Sequence, residues 1–274
     1  MLKVALTGPT GLVGSRIIEL LHNDFIFIPL PHDALDITNK DRVYTFLKNL
    51  DFDMILHLAA YTLVDKAEEE PEKSRLINVE GTRNLFDFCI SKQKKFIYTS
   101  TDFVFDGEHP PYFEDSIPNP LGVYAKTKYE GECIVKDKAM IIRFSYPYRT
   151  AYDKKKDFVR SLKFLLESHT PLTMIQDTLI TPTFIDDIAQ ALRHLFVNFT
   201  PEIFHIIGAS SISPYNAAIM ISHQFHLDSS LIIPITLEEY SKGKAPRPRY
   251  SVTKSKKNTF YPMKSFNEGL KLIK

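Results

Sequence analysis

The sequence predicts an α/β fold built on a doubly wound parallel sheet, with a smaller, discontinuous second lobe toward the C-terminus. Three observations predict it. In the first half of the chain, short and continuously apolar runs alternate with amphipathic stretches, which is typical of parallel strands covered by helices on both faces. A glycine-rich turn with Gly8, Gly11 and Gly14 separates the first apolar run from the first amphipathic stretch. The alternation stops after Arg143, where we expect the second lobe to begin.

Strands and helices alternate through residues 3–144. Each predicted strand is a short apolar run, and each predicted helix carries apolar residues at helical spacing. The strands are Lys3–Thr7, Phe25–Leu30, Met54–Leu58, Lys95–Thr99 and Met140–Phe144, and the helices are Gly11–His22, Asn39–Asn49, Glu72–Ser91 and Pro120–Val135. Because right-handed crossovers place the carboxyl ends of parallel strands at one edge of the sheet, we expect ligands to bind at that edge.

The second half of the chain is less regular. Its predicted elements are helices at Lys156–Glu167, Phe184–Val197, Pro214–Phe225 and near Lys264–Ile273, and strands at Leu172–Ile175, Ile203–Ile207 and Leu231–Pro234. A turn is expected at Thr181-Pro182-Thr183, and a loop rich in lysine and proline runs through Arg249. We expect residues 184–208 to return to the first domain, which then comprises residues 1–145 and 184–208. Residues 146–183 and 209–274 form the smaller lobe.

The composition is that of a soluble globular protein with a substantial core, since 44% of its 274 residues are hydrophobic and 24% are charged. The net charge of +1 and the scattered basic clusters argue against a nucleic-acid partner. No apolar run approaches the ~20 residues of a membrane span, and Met1 leads directly into a strand, so we expect no membrane anchor and no signal peptide. Cys89 and Cys133 lie outside any metal-ligand spacing. We therefore expect no metal, no disulfide and a cytoplasmic location.

The glycine-rich turn predicts a pyrophosphate-binding loop. It joins the apolar strand that ends at Thr7 to a helix with Ile17, Leu20 and Leu21 on one face. Glycine lets the backbone approach phosphate groups, and the N-terminus of a helix offers unpaired N–H groups and the positive end of the helix dipole. The start of the chain is therefore expected to bind a nucleotide.

Tyr124 and Lys128 are the candidate catalytic pair. They stand four residues apart, so on a helix they share one face. The spacing alone is not specific, because it also occurs at Tyr44/Lys48, Tyr152/Lys156, Tyr240/Lys244 and Tyr250/Lys254. Only Tyr124 begins a helix soon after a strand that ends in hydroxyl residues at the ligand edge, Thr99-Ser100-Thr101.

Such a pair suits the reduction of a carbonyl group. An ammonium about 4–5 Å from a phenol is expected to lower the pKa of the phenol from its usual value near ~10, provided that the site is partly closed. A hydroxyl from Thr101 or Ser100 would hydrogen-bond the carbonyl oxygen to which Tyr124 donates a proton. Hydride from a nicotinamide seated by the glycine loop would complete the reduction.

Five segments together resemble the extended short-chain dehydrogenase/reductase superfamily, and within it the dTDP-4-dehydrorhamnose reductases. They are the glycine loop, Leu35 to Thr38, His57 to Asp65, Ser100 to Gly107, and Tyr124 to Lys128. Asp177 to Asp187 and Arg247-Pro248-Arg249 extend the likeness over nearly the whole chain. The resemblance implies a Rossmann domain, a substrate-binding lobe and reduction of the 4-keto group of a nucleotide-linked deoxy sugar.

The resemblance also implies roles for individual residues. Thr101, Tyr124 and Lys128 would be the catalytic hydroxyl, acid and helper lysine. The cofactor would contact Tyr124, Lys128, the glycine loop and several strand ends, namely Gly8, Thr10, Gly11, Leu12, Val13, Gly14, Asp36, Ile37, Ala59, Ala60, Tyr61 and Thr99. The nucleotide sugar would contact Thr101, Asp102, Phe103 and Arg247, with the arginine near its diphosphate.

The choice of cofactor rests on the end of the second strand. An NAD enzyme carries an acidic residue there that holds the ribose 2′-hydroxyl, a role that Asp33 would fill. His32 and Arg16 would instead meet the 2′-phosphate of NADP. We favour NADP(H), with NAD(H) as the alternative.

Two other functions stay open at this point. The first is a cofactor-loaded regulatory subunit resembling the β subunit of methionine adenosyltransferase, which would bind a partner enzyme. It is favoured by two departures from the reductases, namely Tyr146-Pro147 where a tryptophan is usual, and Lys156-Asp157-Phe158 in place of an asparagine-rich segment. The second is an epimerase or dehydratase of the same superfamily. The sequence leaves open whether the protein forms a homodimer. His57 and His205 lie in apolar strands, and we expect both to be core histidines.

Overall fold

The structure is a computed structural model that describes residues 1–150 and 152–273. Its strands are β1 (Lys3–Thr7), β2 (Ile26–Leu30), β3 (Met54–His57), β4 (Lys95–Thr101), β5 (Met140–Phe144), β6 (Pro147–Tyr148), β7 (Leu172–Ile175), β8 (Thr183–Phe184), β9 (Ile203–His205) and β10 (Ile232–Ile235). Its α-helices are α1 (Leu12–Leu21), α2 (Lys40–Leu47), α3 (Val64–Glu69), α4 (Pro71–Arg75), α5 (Gly81–Ser91), α6 (Val123–Val135), α7 (Phe158–Glu167), α8 (Ile185–Val197), α9 (Pro214–Gln224), α10 (Leu237–Tyr240) and α11 (Phe266–Leu270).

Six strands form one parallel sheet in the order β2-β1-β3-β4-β5-β9. One face packs on α1 and α8 through apolar side chains such as Ile17, Ile188 and Leu192, and the other packs near α2 and α5. This is the predicted doubly wound α/β fold. All six carboxyl ends lie at one edge, which brings the ends of β1, β3 and β4 together.

The sheet strands agree with the sequence prediction to within two residues at each end, but the helices differ more. The helix predicted over Glu72–Ser91 is divided by a π-helical turn at Leu76–Glu80 between α4 and α5. Helix α3 was not predicted, because its six residues are too few to display an apolar face. Helix α6 begins at Val123 and not at Pro120, since the extended backbone of Gly122 forms its N-cap.

Two short sheets lie outside the large one. Strand β7 pairs with β10, and β6 pairs with β8 where the sequence predicted a turn ending at Thr183. A separate apolar cluster, with Tyr148, Leu166 and Phe266 among its members, packs around α7, α9 and α11. Helix α8 packs on one face of the six-stranded sheet, and β9 is the strand of that sheet next to β5. The division into residues 1–145 with 184–208, and 146–183 with 209–274, stays a proposal that this packing supports.

Within the described ranges, 1–150 and 152–273, no helix combines the length and the apolar character that crossing a lipid bilayer requires. Cys89 is buried in α5 and Cys133 is exposed on α6, and both thiols are free.

Candidate active site

A cavity of about 780 Å³ opens at the carboxyl edge of the large sheet. It is lined by the glycine loop, by residues that follow β3 and β4, by α6, by the segment after β5 and by the region of α10 and the loop beyond it. The lining residues are Gly8, Thr10, Gly11, Leu12, Val13, Gly14, Leu58, Ala59, Ala60, Thr62, Val64, Ser100, Thr101, Asp102, Phe103, Tyr124, Phe144, Tyr146, Pro147, Lys155, Tyr240 and Arg247.

The glycine loop owes its shape to glycines at two positions. Gly8 has a φ of +69°, and a Cβ there would lie 3.2 Å from the backbone nitrogen of Ala59. A Cβ on Gly14 would lie 2.4 Å from the carbonyl oxygen of Gly8. Larger side chains would therefore push the loop away from β3 and from α1. The Thr7 hydroxyl completes the arrangement by accepting hydrogen bonds of 3.1 Å from the backbone of Leu58 and of Ala59.

Helix α1 begins directly at the cavity. Its N-cap is Gly11, no side chain caps it, and its first turn carries no acidic residue. The first N–H groups of α1 therefore face the cavity with the positive end of the helix dipole. This cradle of closely approaching backbone and free donors fits the pyrophosphate of a dinucleotide.

The segment after β6 reaches over to the glycine loop. The buried guanidinium of Arg149 donates to the Ser15 hydroxyl (2.8 Å) and to the Glu19 carboxylate (2.6 Å) on α1. The Tyr152 hydroxyl donates to the carbonyl oxygen of Thr10 (2.8 Å). These contacts bring Lys155 to the cavity wall.

Thr101 and Asp102 lie at the end of β4, buried and bonded to each other. The Thr101 hydroxyl donates to Asp102 Oδ1 (3.1 Å) and accepts from the backbone N–H of Phe103 (3.3 Å). The Ser145 hydroxyl donates to Asp102 Oδ2 (2.8 Å). Burial raises the pKa of Asp102 to about 6. The Ser100 hydroxyl, the alternative to Thr101, is buried without a hydrogen-bond partner among the described residues.

Tyr124 lines the cavity, but its electrostatics differ from the expectation. Burial raises the pKa of its phenol to about 12, the Thr101 hydroxyl lowers it and the Asp102 carboxylate raises it further. The expected lowering by Lys128 is therefore wrong for the protein on its own. The reason is that Lys128 is buried too, and burial lowers the pKa of its ammonium to about 7. A lysine whose pKa is near 7 is only partly protonated at pH 7, so it provides less than a full positive charge to the phenol.

Lys128 lies behind the cavity wall. Its Nζ donates to the carbonyl oxygen of Thr99 (2.6 Å) and lies 4.3 Å from the centre of the Tyr98 ring. Lys128 therefore links α6 to β4, one residue before the cavity-lining Ser100.

Five residues expected to contact the cofactor do not line the cavity, and Thr99 and Lys128 are two of them. The Asp36 carboxylate accepts from the backbone and the hydroxyl of Thr38, and Ile37 is buried. The Tyr61 hydroxyl donates to Glu70 (2.7 Å). The remaining expected cofactor and substrate residues all lie on its wall.

The sequence predicts two candidate residues for binding a 2′-phosphate, Arg16 and His32, and their surroundings in the structure differ. Arg16 is bonded to Asp186 through Nε and Nη2 (2.7 Å each) and to Glu19 through Nη1 (3.0 Å). It ties α1 to α8 and is not free to bind a phosphate. His32 lies just after β2, near the Asp36 carboxylate. The hydrogen bonds from Thr38 lower the pKa of Asp36, and His32 lowers it to a smaller extent.

Arg247 lines the cavity with part of its hydrogen-bonding capacity occupied. Its Nη2 lies 2.8 Å from Asp65 Oδ1, its Nη1 donates to the carbonyl oxygen of Ala245, and its guanidinium carbon lies 5.3 Å from the centre of the Tyr240 ring. These contacts fix the arginine at the cavity wall next to Tyr240.

Sequence reasoning missed part of the lining. Leu58, Thr62 and Val64 belong to the segment quoted for the resemblance and were left without a role. Lys155 and Tyr240 come from regions without a motif, so only the tertiary fold brings them to the cavity.

His57 and His205 are core histidines, as the sequence predicted. His57 bonds to Thr7 (2.8 Å) and Thr82 (3.1 Å), and burial lowers its pKa to about 3.

The parallel sheet, the loop that approaches β3 and the tyrosine of α6 converge on one cavity, and this is the design of the extended short-chain dehydrogenases/reductases, a class of oxidoreductases. Within that class, the chain belongs to the family described as RmlD substrate binding domain, whose sequence model matches residues 2–273. The resemblance inferred from the sequence motifs is thereby confirmed.

Three similar proteins illustrate the relationship. A dTDP-4-dehydrorhamnose reductase of Mycolicibacterium smegmatis is 29% identical, over 98% of this chain and 84% of the relative. The crystal structure of a dTDP-4-dehydrorhamnose reductase of Bacillus anthracis in complex with NADP superposes with a TM-score of 0.92 at 30% identity, covering 98% of both chains. A methionine adenosyltransferase 2 subunit beta of Xenopus tropicalis is 29% identical, over 90% of this chain and 78% of the relative.

Proposed function

We propose that this protein is an NADPH-dependent reductase of the 4-keto group of dTDP-4-dehydrorhamnose or a closely related nucleotide-linked deoxy sugar. The observation that carries the proposal is that the glycine loop, Thr101 and Tyr124 line one cavity. The relationship to named dTDP-4-dehydrorhamnose reductases over nearly the whole chain supports the substrate class.

NADP(H) is the proposed cofactor, with NAD(H) as the alternative. The uncapped start of α1 and the close approach of Gly8 to β3 fit the pyrophosphate. The related Bacillus anthracis structure contains NADP. With Arg16 engaged by Asp186, His32 is the residue at the end of β2 that we assign to the 2′-phosphate.

The nucleotide sugar is assigned to the opposite end of the cavity. Arg247 supplies positive charge there, which suits a diphosphate. Asp102 and Phe103 follow β4 and would face the sugar, next to Thr101.

The reaction transfers a hydride to the carbonyl carbon and a proton to the carbonyl oxygen. NADPH, held by the glycine loop and the start of α1, would supply the hydride. The phenol of Tyr124 donates the proton, and the hydroxyl of Thr101 positions the carbonyl oxygen. Lys128, through its bond to the backbone of Thr99, fixes α6 against β4 and so holds Tyr124 in place. The Phe103 ring packs against Tyr124 and the Tyr146 ring packs against Phe103, and we assign to these rings the exclusion of water from the reacting groups.

The test is the oxidation of NADPH by the purified protein with dTDP-4-dehydrorhamnose, compared with the same assay using NADH. We expect turnover with both cofactors. The KM for NADPH should be at least tenfold lower than the KM for NADH, because the 2′-phosphate of NADPH makes an additional contact with the protein. Absence of turnover with any 4-keto nucleotide sugar would exclude the reductase.

The alternative function is a regulatory subunit, for which the similarity to methionine adenosyltransferase 2 subunit beta is the specific observation. It requires a partner enzyme, whereas the reductase requires none, and a homodimer suits either. Affinity purification of the tagged protein from its own cells distinguishes the two, because the subunit would retain a stoichiometric synthetase. We propose a cytoplasmic location for either function.

A further inference from the structure

Asp102 is a buried carboxyl group next to the candidate catalytic hydroxyl. Only 2% of its surface is exposed. Each of its oxygens has a different partner, the Thr101 hydroxyl at 3.1 Å on Oδ1 and the Ser145 hydroxyl at 2.8 Å on Oδ2. Salt bridges to Asp102 are absent among residues 1–150 and 152–273. Burial therefore favours the neutral form of this carboxyl, and the hydroxyl groups of Ser145, Ser251 and Thr101 together with its own backbone N–H favour the ionised form.

A hydroxyl has one proton to donate, and this limits Thr101. When Asp102 is ionised, Thr101 donates its proton to Oδ1 and accepts from the N–H of Phe103. It then has no proton for the oxygen of a substrate. When Asp102 carries a proton on Oδ1, that proton is donated to Thr101, and the Thr101 proton is free to be donated onward. Ser145 occupies Oδ2, so Oδ1 is the oxygen that takes the proton.

We propose that Asp102 is a positioning residue that decides whether the Thr101 hydroxyl donates to the reacting oxygen. The inference rests on the proposed reductase function and adds to it a second proton, held at Asp102 and distinct from the one that Tyr124 transfers. This role of Asp102 is consistent with the effect of burial, which raises the pKa of its carboxyl group to about 6.

The titratable neighbours of Asp102 come from two elements. Tyr124 faces it from α6, and Tyr146 faces it from the segment after β5. Arg247 lies beyond Tyr146 and acts on the phenol of that tyrosine. The pKa of each tyrosine is raised by burial, so both phenols stay neutral through the range in which Asp102 titrates.

The experiment compares single-turnover rates of Asp102→Asn and wild type between about pH 5 and pH 8. The amide introduced by this substitution can place its oxygen toward Ser145 and its NH₂ toward Thr101, which reproduces the protonated carboxyl. The ratio of variant to wild-type rates should increase by about tenfold from the acid end to the alkaline end, whatever its absolute value. Lys128 titrates in the same range but affects both proteins equally, so the ratio isolates Asp102.

Two further variants separate this role from a structural one. In the background of Thr101→Val, the ratio should not vary with pH, because Asp102 then has no Thr101 hydroxyl through which to act. Ser145→Ala, which removes a hydrogen bond that favours the ionised carboxyl, should move the alkaline fall of the wild-type rate to higher pH by about half a unit or more. Asp115→Asn, at an exposed carboxylate bonded to Lys256, is the matched control and should leave the profile unchanged.

A second readout needs no turnover. Infrared difference spectra of the protein without ligands should show the carbonyl band of a protonated carboxyl appearing as the pH falls, and Asp102→Asn should remove that band. A flat ratio in an active enzyme, or a ratio that still varies with pH after Thr101→Val, would overturn the role of Asp102 alone. A wild-type protein without turnover would overturn the proposed function, and this inference with it.

Discussion

The two central side chains, Tyr124 and Lys128, have pKa values that burial moves in opposite directions. The pKa of the phenol rises to about 12 and that of the ammonium falls to about 7. Both shifts favour the neutral form of each group in a dry site. A neutral phenol is the form that donates a proton, so the raised pKa preserves the acid while making it weaker.

Tyr124→Phe removes the donated proton and should lower kcat by about 10²–10⁴-fold, the usual contribution of a general acid. The measurement is steady-state oxidation of NADPH, together with a binding titration that should show little change in NADPH affinity. Tyr44→Phe is the matched control, since Tyr44 also precedes a lysine by four residues but lies on α2, away from the cavity. Unchanged turnover in Tyr124→Phe would contradict the assignment.

Lys128→Met should make the protein more stable near neutral pH while impairing turnover. The native pKa of about 7 lies below the ordinary 10.5, so the unfolded state binds more protons between these two values. The stability of the wild type therefore rises with pH through this window, by up to roughly 5 kcal/mol. The variant lacks this dependence.

Melting temperatures of Lys128→Met and wild type, measured from about pH 7 to pH 10, check this prediction. The melting temperature of the variant should exceed that of the wild type most at neutral pH, and this excess should become smaller as the pH rises. A difference that is constant with pH would show that Lys128 is not buried as a partly neutral amine. Lys126→Met, at an exposed position on the same helix, is the control.

At the scale of elements, the glycine loop and the start of α1 act as one unit. The loop is held against β3 by Thr7 and lies within contact distance of Ala59, so its position depends on the absence of side chains at Gly8 and Gly14. The sequence predicts this loop well, because spacing and context are local properties. It predicts α6 less well, since the start of that helix depends on the N-cap at Gly122.

Gly14→Ala should raise the Kd for NADPH at least tenfold, because the added Cβ would lie 2.4 Å from the carbonyl oxygen of Gly8 and must displace the loop. Fluorescence titration measures the effect. Gly243→Ala is the control, since Gly243 also has a positive φ, of +72°, but has nothing within 4 Å of an added Cβ. The control should lose about 1 kcal/mol of stability without any change in Kd.

At the scale of the whole molecule, contacts between distant segments complete the cavity. The Tyr152 hydroxyl reaches the glycine loop, and Arg149 holds its own segment against α1. Local patterns do not contain this information. Lys155 and Tyr240 were missed for the same reason. The Asp36 and Tyr61 side chains are hydrogen-bonded to Thr38 and Glu70, and their contacts with the cofactor stay predictions.

Tyr152→Phe removes the hydrogen bond to Thr10 and should weaken NADPH binding by about threefold to tenfold, as the loss of one neutral hydrogen bond implies. Stopped-flow fluorescence should assign the change to faster NADPH dissociation, because the segment no longer holds the loop. Tyr250→Phe, in a partly exposed loop, should leave both rates unchanged. An equal loss in both variants would exclude a role for the bridge from Tyr152.

The late position of α8 and β9 in the chain has a consequence for synthesis on the ribosome. When β5 emerges, its outer edge has no neighbour, and the apolar side chains that will meet Ile188 and Leu192 are still exposed to water. The nascent protein must keep this surface from associating with other chains until residue 205 has left the exit tunnel. Binding of a chaperone to the nascent chain while residues 145–205 are being synthesised would therefore protect this surface.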